Sequence, residues 1–126
     1  MKIKKLSLIA FLIIAIFIIM GCSTSGNSAT LPAQYDSFAN CLSANGVKMY
    51  GAYWCPHCAN QKQMFGGSFK LINYIECSLP NRAGQTQACI DAKINAYPTW
   101  EFADGKRIEG ELSLEQLSQN SNCKLE

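Results

Sequence analysis

Two cysteines three positions apart, in Cys55-Pro56-His57-Cys58, are the residues of this sequence best equipped for chemistry. Side chains so spaced can close a disulfide or stand as a dithiol, and they can exchange electrons with another disulfide through a mixed-disulfide intermediate. The attacking species is the thiolate, and a helix N-terminus or a nearby cation lowers a Cys pKa to about 3.5–7.5. From Cys55 to Phe65 the only breaker is Pro56, a residue suited to a first helical position. Cys55 is therefore expected at the start of a helix, where unpaired N–H groups and the helix dipole favour an anion. His57 is expected close to Cys55 as a further donor that tunes it. Cys58, deeper in the helix, is expected to be the resolving thiol. A stabilised Cys55 thiolate is also a better leaving group, which tilts the pair toward oxidising client thiols or isomerising client disulfides and away from strong reduction.

Metal chemistry is the competing use of such a pair. A structural zinc site needs four ligands, commonly a second CxxC or paired His, whereas His57 is the single histidine and no second CxxC exists. Soft ligands suit Cu(I), so Cys55, Cys58, His57 and Met64 form an alternative of another class, a copper-binding chaperone. Met49 and Met64 are more simply core. The expectation is no metal and no cofactor beyond the redox-active disulfide itself.

The elements that must position these residues follow from periodicity and breakers. Tyr35, Phe38, Ala39 and Leu42 recur at helical spacing after Pro32, and Asn45-Gly46 stops that helix. Val47–Tyr53 is a short run of strand formers leading into the cysteines, and Gly66-Gly67 closes the helix that carries them. A strand at Leu71–Glu76, a polar loop at 78–85 and a third helix over Thr86–Lys93 come next. Tyr97–Phe102 leads into a strand, Asp104-Gly105 signals a hairpin, and Arg107–Glu109 returns. Ser113 and Gln116 form a capping box for the last helix, with Leu112 placed to staple onto Leu117. The order α-β-α-β-α-β-β-α calls for a mixed sheet with helices on both faces. Pro98 stands between a helix and a strand, in a corner where an X–Pro bond can be held cis.

Charge and the N-terminus bound the setting. The net charge of +2 comes from Lys2, Lys4 and Lys5, and residues 22–126 carry eight basic against nine acidic side chains. Such a domain has no basic stripe, so nucleic-acid binding is not expected. Leu6–Met20 is apolar apart from Ser7 and ends at Ile19-Met20-Gly21-Cys22. Fifteen residues are short for a span of about 20. The stretch resembles the lipobox of bacterial lipoproteins. That resemblance implies a signal peptide at 1–21, lipidation of Cys22 and an extracytoplasmic protein tethered to a bacterial membrane. An uncleaved anchor is the alternative. Residues 22–31 read as a flexible tether, and 32–126 as the folded domain.

Seven cysteines fit an oxidising compartment. Cys77 ends a strand and Cys89 lies in the following helix, so a structural disulfide between them is expected; a second redox pair is the alternative. Cys41 and Cys123 either pair with each other, stay free or form an intermolecular bond. Against pairing, the first and last helices of this topology are expected on opposite sheet faces.

Trp54-Cys55-Pro56-His57-Cys58 after a strand, with Tyr97-Pro98-Thr99 before a hairpin, resembles the thioredoxin superfamily over residues 34–121. The resemblance implies an α/β thioredoxin fold with a mixed four-stranded sheet. It also implies a cis Pro98 facing the cysteines, and a client-docking edge made of Trp54, Tyr97, Pro98 and Thr99. The runs Lys48–Cys58 and Ala96–Trp100 further resemble the thioredoxin-like domain fused to, or working with, bacterial homologues of vitamin K epoxide reductase. That implies oxidation of thiols in folding clients, with reoxidation by a quinone-linked membrane partner on a separate chain. A monomer is expected, and a reductase fed by a transmembrane electron donor is the rival of the same class. Met49 departs from the superfamily, which keeps a buried carboxylate at that position. Proton handling must then fall to water, Glu76 or His57. The long helical insertion of the larger periplasmic disulfide oxidases is also missing.

Overall fold

Met49 and Tyr50 are neighbours in one short strand, yet they head two separate apolar clusters. Successive strand residues point to opposite faces, so this division defines the two sides of the molecule. The computed structural model describes residues 33–126. The expected signal peptide at 1–21, the expected tether at 22–31 with Cys22, and Pro32 lie outside the described residues.

Helix α1 spans Asp36–Ala44 and buries Phe38, Ala39 and Leu42. At its end Gly46 takes φ +75°, a left-handed conformation that glycine adopts at little cost. Strand β1, Lys48–Gly51, leads to helix α2, Pro56–Phe65. Strand β2 is Asn73–Glu76, helix α3 Gln87–Asp91, strand β3 Thr99–Glu101, strand β4 Arg107–Glu109 and helix α4 Leu114–Ser121. The strands lie in the order β2-β1-β3-β4, with β1 and β2 parallel and the other two pairs antiparallel. Met49 stands opposite Tyr74 and Trp100, and Trp100 opposite Ile108. Phe38, Phe65 and Leu117 join that face, so α1, α2 and α4 cover it. On the reverse face Tyr50 packs with Ile75, Ile94 and the Cys77–Cys89 bridge, under α3. A mixed four-stranded sheet with helices on both faces, in this order, is a thioredoxin-like fold.

The elements differ from expectation in three ways. Gly66-Gly67 ends α2 but does not release the chain, which tightens into a 3₁₀ segment at Gly66–Leu71 and delays β2. Phe69 holds that segment down, its ring 6.2 Å from Phe65 and 5.6 Å from Tyr74. Helix α3 is shorter than Thr86–Lys93, because Thr86 is its extended N-cap and Lys93 has φ +55°. Finally, α1 and α4 share the Met49 face instead of lying on opposite ones, since Phe38, Leu42 and Leu117 enter one cluster. Cys41 and Cys123 thereby meet and are bonded, with Cα atoms 5.8 Å apart.

Candidate active site

Strand β1 delivers the chain to the cysteines through a tight corner, in which the Cys55 amide donates to the Ala52 carbonyl at 3.0 Å. Cys55 is the extended N-cap of α2 and Pro56 fills its first turn. Both motif cysteines are free thiols. Cys55 keeps 6% of its surface and Cys58 1%, so Cys55 is the sulfur an incoming group can reach. The Cys55 thiol donates to the Tyr97 carbonyl at 3.5 Å, and the Tyr97–Pro98 bond is cis. Burial pushes the Cys58 thiol up to about 12. A hydrogen bond with Cys55 adds to the shift, whereas the Ala52 backbone and Lys62 oppose it. Cys58 is thus a protonated thiol at neutral pH.

Gly51 makes room for this sulfur. A Cβ there would lie 3.0 Å from Cys58 Sγ, 2.9 Å from Tyr74 Cε2 and 3.2 Å from the Tyr74 hydroxyl. Tyr74 donates to Glu76 Oε2 at 2.7 Å, and burial raises its pKa above the ordinary phenol range, with the Glu76 hydrogen bond adding to the shift. Glu76 Oε1 accepts from the Tyr53 and Ser78 amides. Lys62 Nζ sits 3.8 Å from the centre of the Tyr74 ring.

His57 faces away from expectation. It was expected to serve Cys55 as a donor, but its Nδ1 lies 2.6 Å from Glu111 Oε1, and its side chain is 67% exposed. Asn60 donates to the same oxygen. The His57 hydrogen bond holds the Glu111 carboxyl below the usual carboxylate range, with the Asn60 bond helping. Met64 Sδ accepts from Gln61. Among the described residues no group of three or more His, Cys, Asp or Glu is placed to hold a metal ion.

The expected docking residues divide. Trp54 is half-exposed; its indole N–H donates to Ser78 Oγ at 2.8 Å, its ring meets Tyr97 edge-on at 6.1 Å, and the Arg82 guanidinium lies 5.3 Å over it. Tyr97 is half-buried and its hydroxyl accepts from Gln85. Pro98 is fully buried and its carbonyl takes the Gly110 amide at 2.7 Å. Thr99 is buried on the Tyr50 face and donates to the Ala96 carbonyl, so its side chain does not reach the surface.

Sequence reasoning missed Gln61, which is completely buried under the motif helix. Its Oε1 accepts from Trp100 Nε1 at 3.1 Å and the Leu112 amide at 2.8 Å, while its Nε2 donates to the Leu112 carbonyl. It missed Glu111 and Lys62 as well. Gly51 carried the one usable signal, since a glycine inside a strand marks a close approach.

This geometry frames the comparison with known proteins. The chain is 40% identical over 94 residues to the thiol-disulfide oxidoreductase LTO1 of Arabidopsis thaliana. The match takes in 71% of this chain and 25% of LTO1, so the chain spans about a quarter of that relative's length. No protein-family model matches the chain.

Proposed function

We propose that the protein is a thiol–disulfide oxidoreductase that oxidises the thiols of client proteins. One observation carries the reading: a free, buried Cys55/Cys58 pair at the head of α2, with the reachable sulfur against the Tyr97 carbonyl. Likeness to LTO1 supports the same chemistry. A client thiolate attacks Cys55 of the disulfide form, the Cys55–Cys58 bond breaks, and Cys58 leaves with the electron pair and takes up a proton. A second client thiol then attacks the mixed disulfide and frees Cys55. The client gains a disulfide and the pair gains two electrons and two protons. Docking on Trp54 and Tyr97 beside Cys55 holds the client for this step.

The oxidising direction draws support from Met49, which leaves no carboxylate where thioredoxins keep one, and from His57 inside the motif. The lysines and apolar run ending at Cys22 support a lipid tether outside the cytoplasm. Reoxidation then falls to a membrane partner of the vitamin K epoxide reductase type, passing electrons to a quinone. Trapping the cysteines of cell-grown protein with a thiol-reactive tag tests the direction. A mostly oxidised Cys55/Cys58 pair is expected, and a mostly reduced one overturns it in favour of a reductase.

A further inference from the structure

The fold buries a resolving thiol yet puts Met49 where a proton acceptor would stand. Met49 is fully buried and points into the apolar cluster, so it neither takes nor gives a proton. Cys58 nonetheless has to lose a proton each time it attacks and regain one each time it leaves. Its sulfur needs a polar neighbour.

Strand β2 supplies a hydroxyl that borders the same space as the sulfur. Gly51 leaves open the space that Cys58 Sγ and the Tyr74 hydroxyl both border, at 3.0 and 3.2 Å from the position of a Cβ. That hydroxyl is already committed as a donor to Glu76 Oε2. Tyr74 and Glu76 are two apart on one strand, hence on the same face, and Gly51 stands opposite Glu76. The charged and titratable groups facing this pair are Cys55, Cys58 and Lys62 from α2. Lys62 lies over the Tyr74 ring and offsets the Glu76 charge near the sulfur.

We infer that Tyr74 and Glu76 form the proton relay of Cys58, a role that rests on the oxidoreductase reading above. When Cys58 attacks a mixed disulfide on Cys55, its proton passes to the Tyr74 oxygen as the Tyr74 proton passes to the Glu76 carboxylate. The Cys58–Cys55 bond forms, the bond from Cys55 to the departing group breaks, and that group leaves as a thiolate. When Cys58 is the leaving group the same transfers run backwards. Tyr74 is never left as a free phenolate, which suits its raised proton affinity.

The test uses the full chain carrying a chromogenic aromatic thiol as a mixed disulfide on Cys55, formed from the corresponding aryl disulfide. Release of the thiol by Cys58 is followed against pH for the unaltered chain, Tyr74→Phe and Glu76→Gln. Proton transfer of this kind contributes about 10²-fold or more. Each variant should therefore release the thiol about 10²-fold more slowly at pH 7. Its rate should also rise steeply with pH and recover when imidazole is added as an external base. Rates and pH profiles equal to those of the unaltered chain overturn the relay. Tyr74→Phe keeps the ring contacts with Phe69 and Lys62, and thermal melting of each variant separates lost folding from lost proton transfer. Failure of the unaltered Cys55 to react with the aryl disulfide overturns the oxidoreductase reading instead.

Discussion

Glu111 gives His57 a partner that no spacing in the sequence announces. The two lie 54 positions apart and meet only because the loop after β4 returns to the head of α2, where the Gly110 amide reaches the Pro98 carbonyl. The Glu111 carboxyl sits below its ordinary range. The pair therefore contributes stability above the ordinary carboxylate pKa and loses it as pH falls through the lowered value. The pair also has a redox consequence. A carboxylate beside the imidazole cancels part of the positive field at the N-terminus of α2, and with it part of the support for a thiolate there. Glu111→Gln is expected to make the Cys55/Cys58 couple more oxidising by about 10 mV. Equilibration with glutathione measures this. A shift toward a more reducing potential would show that Glu111 acts by some other route.

At the scale of elements, one side chain fastens α2 to the rest of the fold. Gln61 joins the motif helix to β3 through Trp100 and to the start of α4 through both backbone groups of Leu112. Truncation leaves three buried polar groups without partners, and each costs about 1–3 kcal/mol, less what relaxation recovers. Gln61→Ala should lower stability by about 3 kcal/mol in urea unfolding. A loss below about 0.5 kcal/mol, the usual range for surface positions, would refute that role. The same element shows where the sequence was readable. The helix start at Pro56, the hairpin at Asp104-Gly105 and the Ser113–Gln116 box are local signals, set within a few residues of chain, and the structure contains all three features. Gln61, Glu111 and Lys62 are ordinary polar residues locally; only tertiary contacts distinguish them. The 3₁₀ segment was unreadable for a related reason, since aromatic packing by Phe69 overrides the stop signal of two glycines.

At the scale of the molecule, the two bonded pairs among the described residues close loops of very different size. Cys77–Cys89 spans 12 positions and Cys41–Cys123 spans 82. A longer closed loop removes more freedom from the unfolded chain, so replacing Cys41 and Cys123 together by Ser should cost about 4 kcal/mol, against about 3 kcal/mol for Cys77 and Cys89. Thermal unfolding of the two double variants checks the order, and a reversed order would place the gain in local packing instead of loop closure. Asn45 reinforces the larger bond, donating to the Ser121 carbonyl at 3.0 Å beside the Cys123 sulfur. The bond also has a mechanical meaning. A pull applied before Cys41 and after Cys123 travels through two sulfurs, and the sheet, the motif helix and the Tyr97–Pro98 corner between them carry no load. Stretched in that way, the domain would keep its reactive cysteines in register until a covalent bond was cut.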